Sequence, residues 1–350
     1  MANSNFYDGT KLLSLKDING NSPEIYICTT NRSAGKTTFF GRMLVKRFFE
    51  KNQKFCLIYR FNYELDSIAD KFYKDISTLF FPNTNMISER RARGIYHDIY
   101  LQYDNKTVSC GYAISLNSAD QIKKYSHLLS DCSSMLFDEF QSETNHYCPN
   151  EINKFISIHD SIARGNGKQN RYLPVYMIGN PVSIINPYYI SLGISERLKN
   201  ETKFLRGDGF VLEQGFNQSA STALQNSAFH RAFKNESYSN YATQAVYLND
   251  DTAFIEKPKG KSRYLCTIRY KNVDYGVREY NEIGIIYCDK KPDTTCQNKI
   301  AVTTSDHNIN YVMLRQNDFF ISNLRYFFEH GCFRFYDMQC KEAILKTISY

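Results

Sequence analysis

The sequence predicts an α/β protein: a mostly parallel sheet with helices over roughly the first 200 residues, then a smaller α+β domain. Three observations predict it. Short apolar runs alternate with amphipathic helical stretches up to about residue 200. A Gly-Lys-Thr tripeptide stands where one apolar run gives way to a helix. From about residue 245 the pattern changes to closely spaced strand candidates.

The elements follow in chain order. "EIYICTT" (24–30) is a short apolar strand. "KTTFFGRMLVKRFFEK" sets Phe39, Phe40, Met43, Leu44 and Phe48 at helical spacing. "KFCLIYR" (54–60) is a second buried strand, and "ELDSIADKFYKDISTLF" (64–80) puts Leu65, Ile68, Phe72, Ile76 and Leu79 on one helical face. "GIYHDIYLQYDNKTVSCGYAISL" (94–116) reads as a β-hairpin turning near Asp104, Asn105 and Lys106. "SSMLFDEF" (133–140) is a buried strand that ends in two acids. "PNEINKFISIHDSIARG" (149–165) is a helix with Pro149 near its start and Gly165 at its end. "LPVYMIGNP" (173–181) is a further strand. Residues 206–244, rich in Gly, Ser, Asn and Gln, read as a linker or lid. "YLCTIRYKNVDYGVREYNEIGIIYC" offers three strands with turns at Lys271–Asn272 and Asn281–Glu282, and "NDFFISNLRYFFEHG" (317–331) is a helix. The expected divisions are 1–205, 206–244 and 245–350.

Composition narrows the classes. About 42% of the 350 residues are apolar, enough for a sizeable core. No apolar run approaches the ~20 residues that span a bilayer, and the polar N-terminus carries no secretory signal pattern. The ten cysteines form no CxxC pair, which points to free thiols in a reducing cytosol and against a zinc site. A net charge of +7 permits a polyanion partner without demanding one.

"TTNRSAGKTTFF" (29–40) follows a strand and opens a helix, where backbone N–H groups and the helix dipole favour a phosphate. The candidate phosphate loop is Thr30, Asn31, Arg32, Ser33, Ala34 and Gly35, with Lys36, Thr37 and Thr38 opening the helix. Lys36 is placed to reach the β- and γ-phosphates, and the Thr37 hydroxyl to hold Mg²⁺. Thr30 stands where such loops begin with glycine, so the turn must avoid positive φ there. Taken alone, the segment also fits a solvated loop before an amphipathic helix. The strand "MLFDEF" supplies the other half. Asp138 at its end is the candidate metal residue, and Glu139 the candidate that polarises the attacking water. Two adjacent acids after three apolar residues are costly as mere packing, although a surface turn also accounts for them. Asn180, ending "VYMIGN", is a candidate γ-phosphate sensor or part of an Asn-Pro turn.

The order "NRSAGKTT", "SMLFDEF", "PNEINKFISIHDSIARGNG", "GNPVSIINPYY", "AFIEKPKGKSRY" resembles the DNA-packaging ATPases of small phi29-like tailed bacteriophages, over most of the chain. The resemblance implies an ASCE-type P-loop ATPase domain that binds ATP and Mg²⁺. It also implies a C-terminal domain resembling a vestigial, nuclease-inactive RNase H-like fold. Such proteins form a homomeric ring, commonly a pentamer, at the portal of an empty prohead and drive double-stranded DNA inward. Members of this type also engage a structural packaging RNA. Lys36 and Thr37 match the Walker A lysine and hydroxyl, and Asp138 and Glu139 the Walker B pair. Arg164 matches the trans-acting arginine finger, with Arg171 as the reserve candidate. Without the resemblance, Arg164 reads as a cation complementing a helix C-terminus. The expected location is the cytoplasm of an infected bacterium, transiently at the portal vertex, with no membrane partner.

A translocating motor contacts the DNA backbone and not the bases, because it must pass any sequence. Arg60, Lys123 and Lys124 are the candidate phosphate contacts, and a solvated basic turn is the ordinary reading of the lysine pair. Lys257, Lys259, Lys261 and Arg263 form a second basic run. Asp274, Glu279, Glu282 and Asp289 are the acids near the C-terminal strands, and their spacing suggests no metal-dependent nuclease. Two rival functions stay open on the sequence: a nuclease-active large terminase and a regulatory NTP-binding switch.

Overall fold

The computed structural model describes residues 6–165, 167, 169–199, 202–244, 247–248, 250, 253–314 and 318–349. The chain divides into two compact units. The first comprises Met1–Gln141, Glu151–Pro181 and Leu198–Val246, and the second Ser142–Asn150, Val182–Arg197 and Tyr247–Tyr350.

The first unit is built on nine strands: β1 (Ile25–Thr29), β2 (Lys54–Tyr59), β3 (Asn85–Arg91), β4 (Tyr96–Tyr103), β5 (Lys106–Ser115), β6 (Cys132–Asp138), β7 (Val175–Gly179), β8 (Phe204–Gly207) and β9 (Phe210–Gln214). They lie in the order β3-β4-β5-β2-β6-β7-β1-β9-β8. The central β5, β2, β6, β7, β1 and β9 are parallel to their neighbours, and β3, β4 and β8 add antiparallel flanks. β7 therefore separates the strand that leads into the Gly-Lys-Thr segment from the strand that ends in two acids. That inserted strand is the ASCE arrangement. The central strands are almost wholly buried, as an all-parallel sheet covered on both faces requires.

Helix α1 (Lys36–Lys51) buries Phe40, Leu44, Val45 and Phe48, and α2 (Ile68–Phe80) buries Ile68, Phe72, Tyr73 and Ile76. These side chains share one core with Phe55 and Leu57 of β2 and Leu136 of β6. Leu79 carries the same spacing as this stripe but is 51% exposed in the last turn of α2. Helix α3 (Glu151–Ala163) fulfils the prediction over 149–165 with two residues fewer at each end. The predicted hairpin is β4–β5, whose turn holds Asp104 and Asn105 at φ 48° and 59°. Positive φ at both central residues is what a tight hairpin turn needs.

The segment 206–244 is not one linker or lid. Its first part completes the β8–β9 hairpin and pairs β9 directly with β1, so the first unit runs past the expected boundary at residue 205. The turn is Asp208–Gly209, with Gly209 at φ 73°. The rest folds as short helices, among them α4 (Gln218–Asn226) and α5 (Ser237–Gln244).

The second unit carries β10 (Arg263–Tyr270), β11 (Val273–Tyr280), β12 (Ile285–Asp289), β13 (Lys299–Ala301), β14 (Val312–Met313) and β15 (Phe333–Phe335), ordered β14-β13-β10-β11-β12-β15. β10, β11 and β12 form an antiparallel meander, while β13 is parallel to β10 and β14 to β13. This is the RNase H-like sheet, with β15 added beside β12. Helices α6 (Phe319–Glu329) and α7 (Met338–Ile348) pack on it through Ile321, Leu324, Phe328, Ile344 and Ile348. All ten cysteines are free thiols, and eight are buried. Among the described residues, no helix is long and apolar enough to cross a membrane.

Candidate active site

The Gly-Lys-Thr loop leaves the C-terminal end of β1 and enters α1. Positive φ falls at Ser33 (58°) and Gly35 (90°), and not at Thr30. The loop thus needs no glycine at its first position. Thr30 is 1% exposed, its amide donates to the Gly179 carbonyl at 3.3 Å, and its hydroxyl donates to the Asn31 carbonyl at 3.0 Å. Gly35 is obligatory for two reasons: its φ, and a side chain there meeting the Phe6 ring at 2.9 Å. As the residue before α1, Gly35 offers no side-chain cap, so the first N–H groups of α1 keep their capacity for an anion.

Two further contacts fix the loop. Asn31 and Asn217 exchange amide hydrogen bonds: Asn31 Nδ2 donates to the Asn217 carbonyl (3.1 Å), and the Asn217 amide donates to Asn31 Oδ1 (2.8 Å). Asn217 also caps α4 by accepting from the Ala220 amide. Arg32 lies over the rings of Tyr238 and Tyr241 on α5, 5.3 and 5.8 Å from their centroids. At the other side, the Tyr7 amide donates to the Ala34 carbonyl at 2.7 Å.

Lys36, Thr37, Asp138 and Asn180 meet at the ends of β1, β6 and β7. The Thr37 hydroxyl donates to Asp138 Oδ2 at 2.9 Å, and the Glu139 amide donates to Asp138 Oδ1 at the same distance. Lys36, 8% exposed, donates from Nζ to Asn180 Oδ1 at 2.6 Å. Burial lowers the Lys36 pKa, against the pull of the Asp138 carboxylate, and raises that of Asp138, against Lys36 and Thr37. Both charges are therefore held short of full compensation. A hydroxyl and a carboxylate are the hard oxygen donors Mg²⁺ takes. A buried ammonium beside an uncapped helix start suits a polyphosphate. The residues present fit Mg-nucleotide. An open cleft of about 380 Å³ adjoins them, lined by Thr37, Tyr59, Glu64, Lys71, Asp138 and Glu139 among others. Glu139 is exposed there with its backbone in the left-handed region at φ 53°.

The other candidates fall elsewhere. Arg164 is exposed just past the C-terminal end of α3 and does not line the cleft. Arg171 donates from Nη2 to the Ser130 and Ile162 carbonyls, both at 3.0 Å, and so ties down the end of α3 as a structural cation. Lys123 and Lys124 are exposed, and Lys123 pairs with Asp120 at 3.1 Å.

Arg60, a candidate DNA contact by sequence, is buried and paired. It is 6% exposed and forms an ion pair at 3.0 Å with Glu151, itself buried at the start of α3. Its other nitrogens donate to the Glu139 (3.3 Å) and Phe140 (2.6 Å) carbonyls. The strand end that looks exposed in sequence is roofed by α3, and a buried guanidinium must spend its donors inside. Sequence reading missed Glu151, because an acid in a helix's first turn is common for dipole reasons alone. Arg60→Ala removes the arginine that pairs with buried Glu151 and should cost about 3–5 kcal/mol of stability. Urea unfolding of the variant measures it, and a loss under about 1 kcal/mol would put the pair among surface bridges.

In the second unit, Asp274 accepts from Arg269 Nε and Nη2 (2.7 and 2.9 Å) and from the Tyr311 hydroxyl (2.7 Å). Glu279 pairs with Arg263 and Asp289 with Arg278, while Glu282 is exposed in a turn. Among the described residues, no cluster of three His, Cys, Asp or Glu side chains is arranged to hold a metal ion.

Fold and site together define a P-loop protein of the ASCE class with an RNase H-like unit attached. The chain belongs to the podovirus DNA encapsidation protein (Gp16) family, whose model matches residues 1–348. It is a phage DNA-packaging protein. It is 24% identical to the DNA packaging protein of Bacillus phage phi29 over 354 residues, spanning 100% of this chain and 97% of that one. The DNA packaging protein of Bacillus phage B103 is 25% identical over 325 residues, 91% and 93% of the two chains. Two solved structures share the fold. They are the bacteriophage Phi-29 viral genome packaging motor assembly (TM-score 0.54, 22% identity, 99% of this chain and 98% of that chain) and the Phi-28 gp11 DNA packaging motor (TM-score 0.57, 16% identity, 99% and 98%).

Proposed function

We propose that this chain is an ATP-hydrolysing motor that moves double-stranded DNA into an empty prohead. The observation that carries this is the Thr37–Asp138 bond at 2.9 Å, which ties the loop after β1 to the acidic end of β6. Thr37 and Asp138 would hold Mg²⁺, which would supply neutralisation of the charge that develops on the transferred phosphate. Lys36 binds the phosphates and exchanges its Asn180 partner for them. Glu139 orients the attacking water and accepts its proton. Arg164 serves the site of a neighbouring copy, so the working form is a ring on the portal, a pentamer as the family resemblance implies, with a packaging RNA as a further partner. Its place of action is the host cytoplasm.

The acids of the second unit support an RNase H-like fold without nuclease activity. Three of the four are neutralised by arginines on neighbouring strands, and two-metal cleavage needs acids that converge.

Steady-state hydrolysis with and without long double-stranded DNA tests the reading. Hydrolysis should require Lys36 and rise with DNA of any sequence. Hydrolysis absent even with DNA and proheads would overturn it.

A further inference from the structure

The sheet edge that carries the nucleotide site also carries a second cluster, on its opposite flank. We propose that Arg90, Arg93 and His97 form a pocket for a phosphodiester of the DNA backbone. The proposal rests on the motor reading above and assigns a grip to it.

Topology places the pocket. The turn between β3 and β4 lies beside the C-terminal end of β5, since Tyr96 pairs with Ile114. β5 is parallel to β2 and β2 to β6, so this is the edge where Asp138 and Glu139 emerge. Three strand spacings from β6 to β4 amount to about 14 Å.

Charge then separates three neighbouring arginines. Arg91 is spent on Glu89 and Asp98, at 2.5 and 2.7 Å. Arg90 and Arg93, both exposed, have no carboxylate partner among the described residues. The backbone is shaped to present Arg90: a side chain at Gly94 (φ 88°) would stand 2.4 Å from Arg90 Nε and 2.6 Å from Nη2. Arg90 Nη2 donates to the Arg93 carbonyl at 3.4 Å, which holds the guanidinium across the turn.

His97 closes the pocket. It is 7% exposed, and its Nδ1 has no hydrogen-bond partner among the described residues. A buried ring nitrogen left unpaired is costly, and with its proton on Nδ1 the ring can donate to a phosphate oxygen. Burial first, then Arg90, lowers its pKa, while Asp66 opposes them. The pocket, about 230 Å³, is lined by these residues with Gln121 and Asn62.

Asp66 decides between sources of phosphate. A diester carries a single charge, whereas free phosphate near neutral pH carries more, so an acid in the wall penalises the free ion more. The site also touches the engine. Asn62 accepts from the Ser115 and Ser118 hydroxyls, and two residues earlier Arg60 holds the carbonyls of Glu139 and Phe140. Strand β2 thus ends in contact with both places.

The test uses the full-length chain, a mixed-sequence DNA duplex and a salt series read by fluorescence anisotropy. The double variant Arg90→Gln/Arg93→Gln should bind the duplex about tenfold more weakly, and the salt slope should fall by about 1 for each phosphate no longer engaged. Arg93→Glu alone, at an exposed position, should act in the same direction. Nucleotide affinity and melting temperature should stay at wild-type values. Unchanged duplex affinity and slope in folded variants would overturn the pocket. So would wild-type binding of inorganic phosphate that both variants lose while duplex binding persists. A wild-type chain that neither binds duplex at low salt nor is stimulated by it would instead sink the motor reading beneath.

Discussion

Glu139→Gln is expected to lower steady-state ATP hydrolysis by roughly 10²–10⁴-fold and to leave nucleotide binding near wild type. The split follows from the geometry. The groups placed to bind nucleotide and metal are Lys36, Thr37 and Asp138, and their contacts to each other and to Asn180 do not run through the Glu139 side chain. The Glu139 amide joins them, through Asp138 Oδ1, and glutamine keeps that amide. What glutamine removes is the carboxylate proposed to take a proton from water. The backbone at Glu139 sharpens the test. A non-glycine residue at φ 53° costs about 1–2 kcal/mol, so strain is stored where the carboxylate enters the cleft. Glu139→Gly relieves that strain. It should fold at least as stably as wild type by urea unfolding and still fail to turn over. Single-turnover hydrolysis, with binding of a fluorescent ATP analogue, reads both variants. If Glu139→Gln turned over at the wild-type rate, the base would have to be sought elsewhere, and Glu64 in the same cleft would be the next carboxylate to remove.

Much of the first unit was legible because its signals are periodic and local. The spacing of Phe40, Leu44 and Phe48 announces α1, and three apolar residues before Asp138 and Glu139 announce a buried strand that stops at an edge. The Asp104–Asn105 and Lys271–Asn272 turns declare their hairpins by composition, and both show the paired positive φ that such turns require. Strand order was not legible residue by residue. That β7 inserts between β1 and β6 follows from packing of the whole sheet. The β8–β9 hairpin was in reach, since Asp208–Gly209 sits between apolar pairs. A window averaged over the polar residues after it hid the signal. Edge strand β3 reads as "NMISERR", too polar to look like a strand, because an edge needs only one covered face. Arg60 failed for the reverse reason. Its environment is set by Glu151, ninety-one positions away, and no local pattern reports a long-range ion pair. Thr30 marks the middle ground: sequence could state the condition it must meet, and only the backbone could show positive φ moved to Ser33 and Gly35.

Arg164→Ala is expected to lose hydrolysis by roughly 10³–10⁵-fold, the size of an arginine-finger effect. It should then regain part of it when mixed with Glu139→Gln, under conditions where the motor assembles on its prohead. Recovery of this kind comes from interfaces. In an equal mixture, about a quarter of head-to-tail contacts pair an intact Glu139 with an intact Arg164 from the next copy. Neither variant alone can form that pair. The local alternative predicts something else: a cation at the end of α3 is worth about 0.3–1 kcal/mol through the helix dipole. Its loss would shift the melting temperature slightly and could not be rescued by another chain. Arg171 serves as the control. Its Nη2 bonds to the Ser130 and Ile162 carbonyls make it part of the fold, so Arg171→Ala should lower stability and show no rescue. Arg164 is exposed and does not line its own subunit's cleft. Recovery above both parents is therefore a direct reading of a shared site. Two folded parents that never recover at any mixing ratio would return Arg164 to the helix terminus.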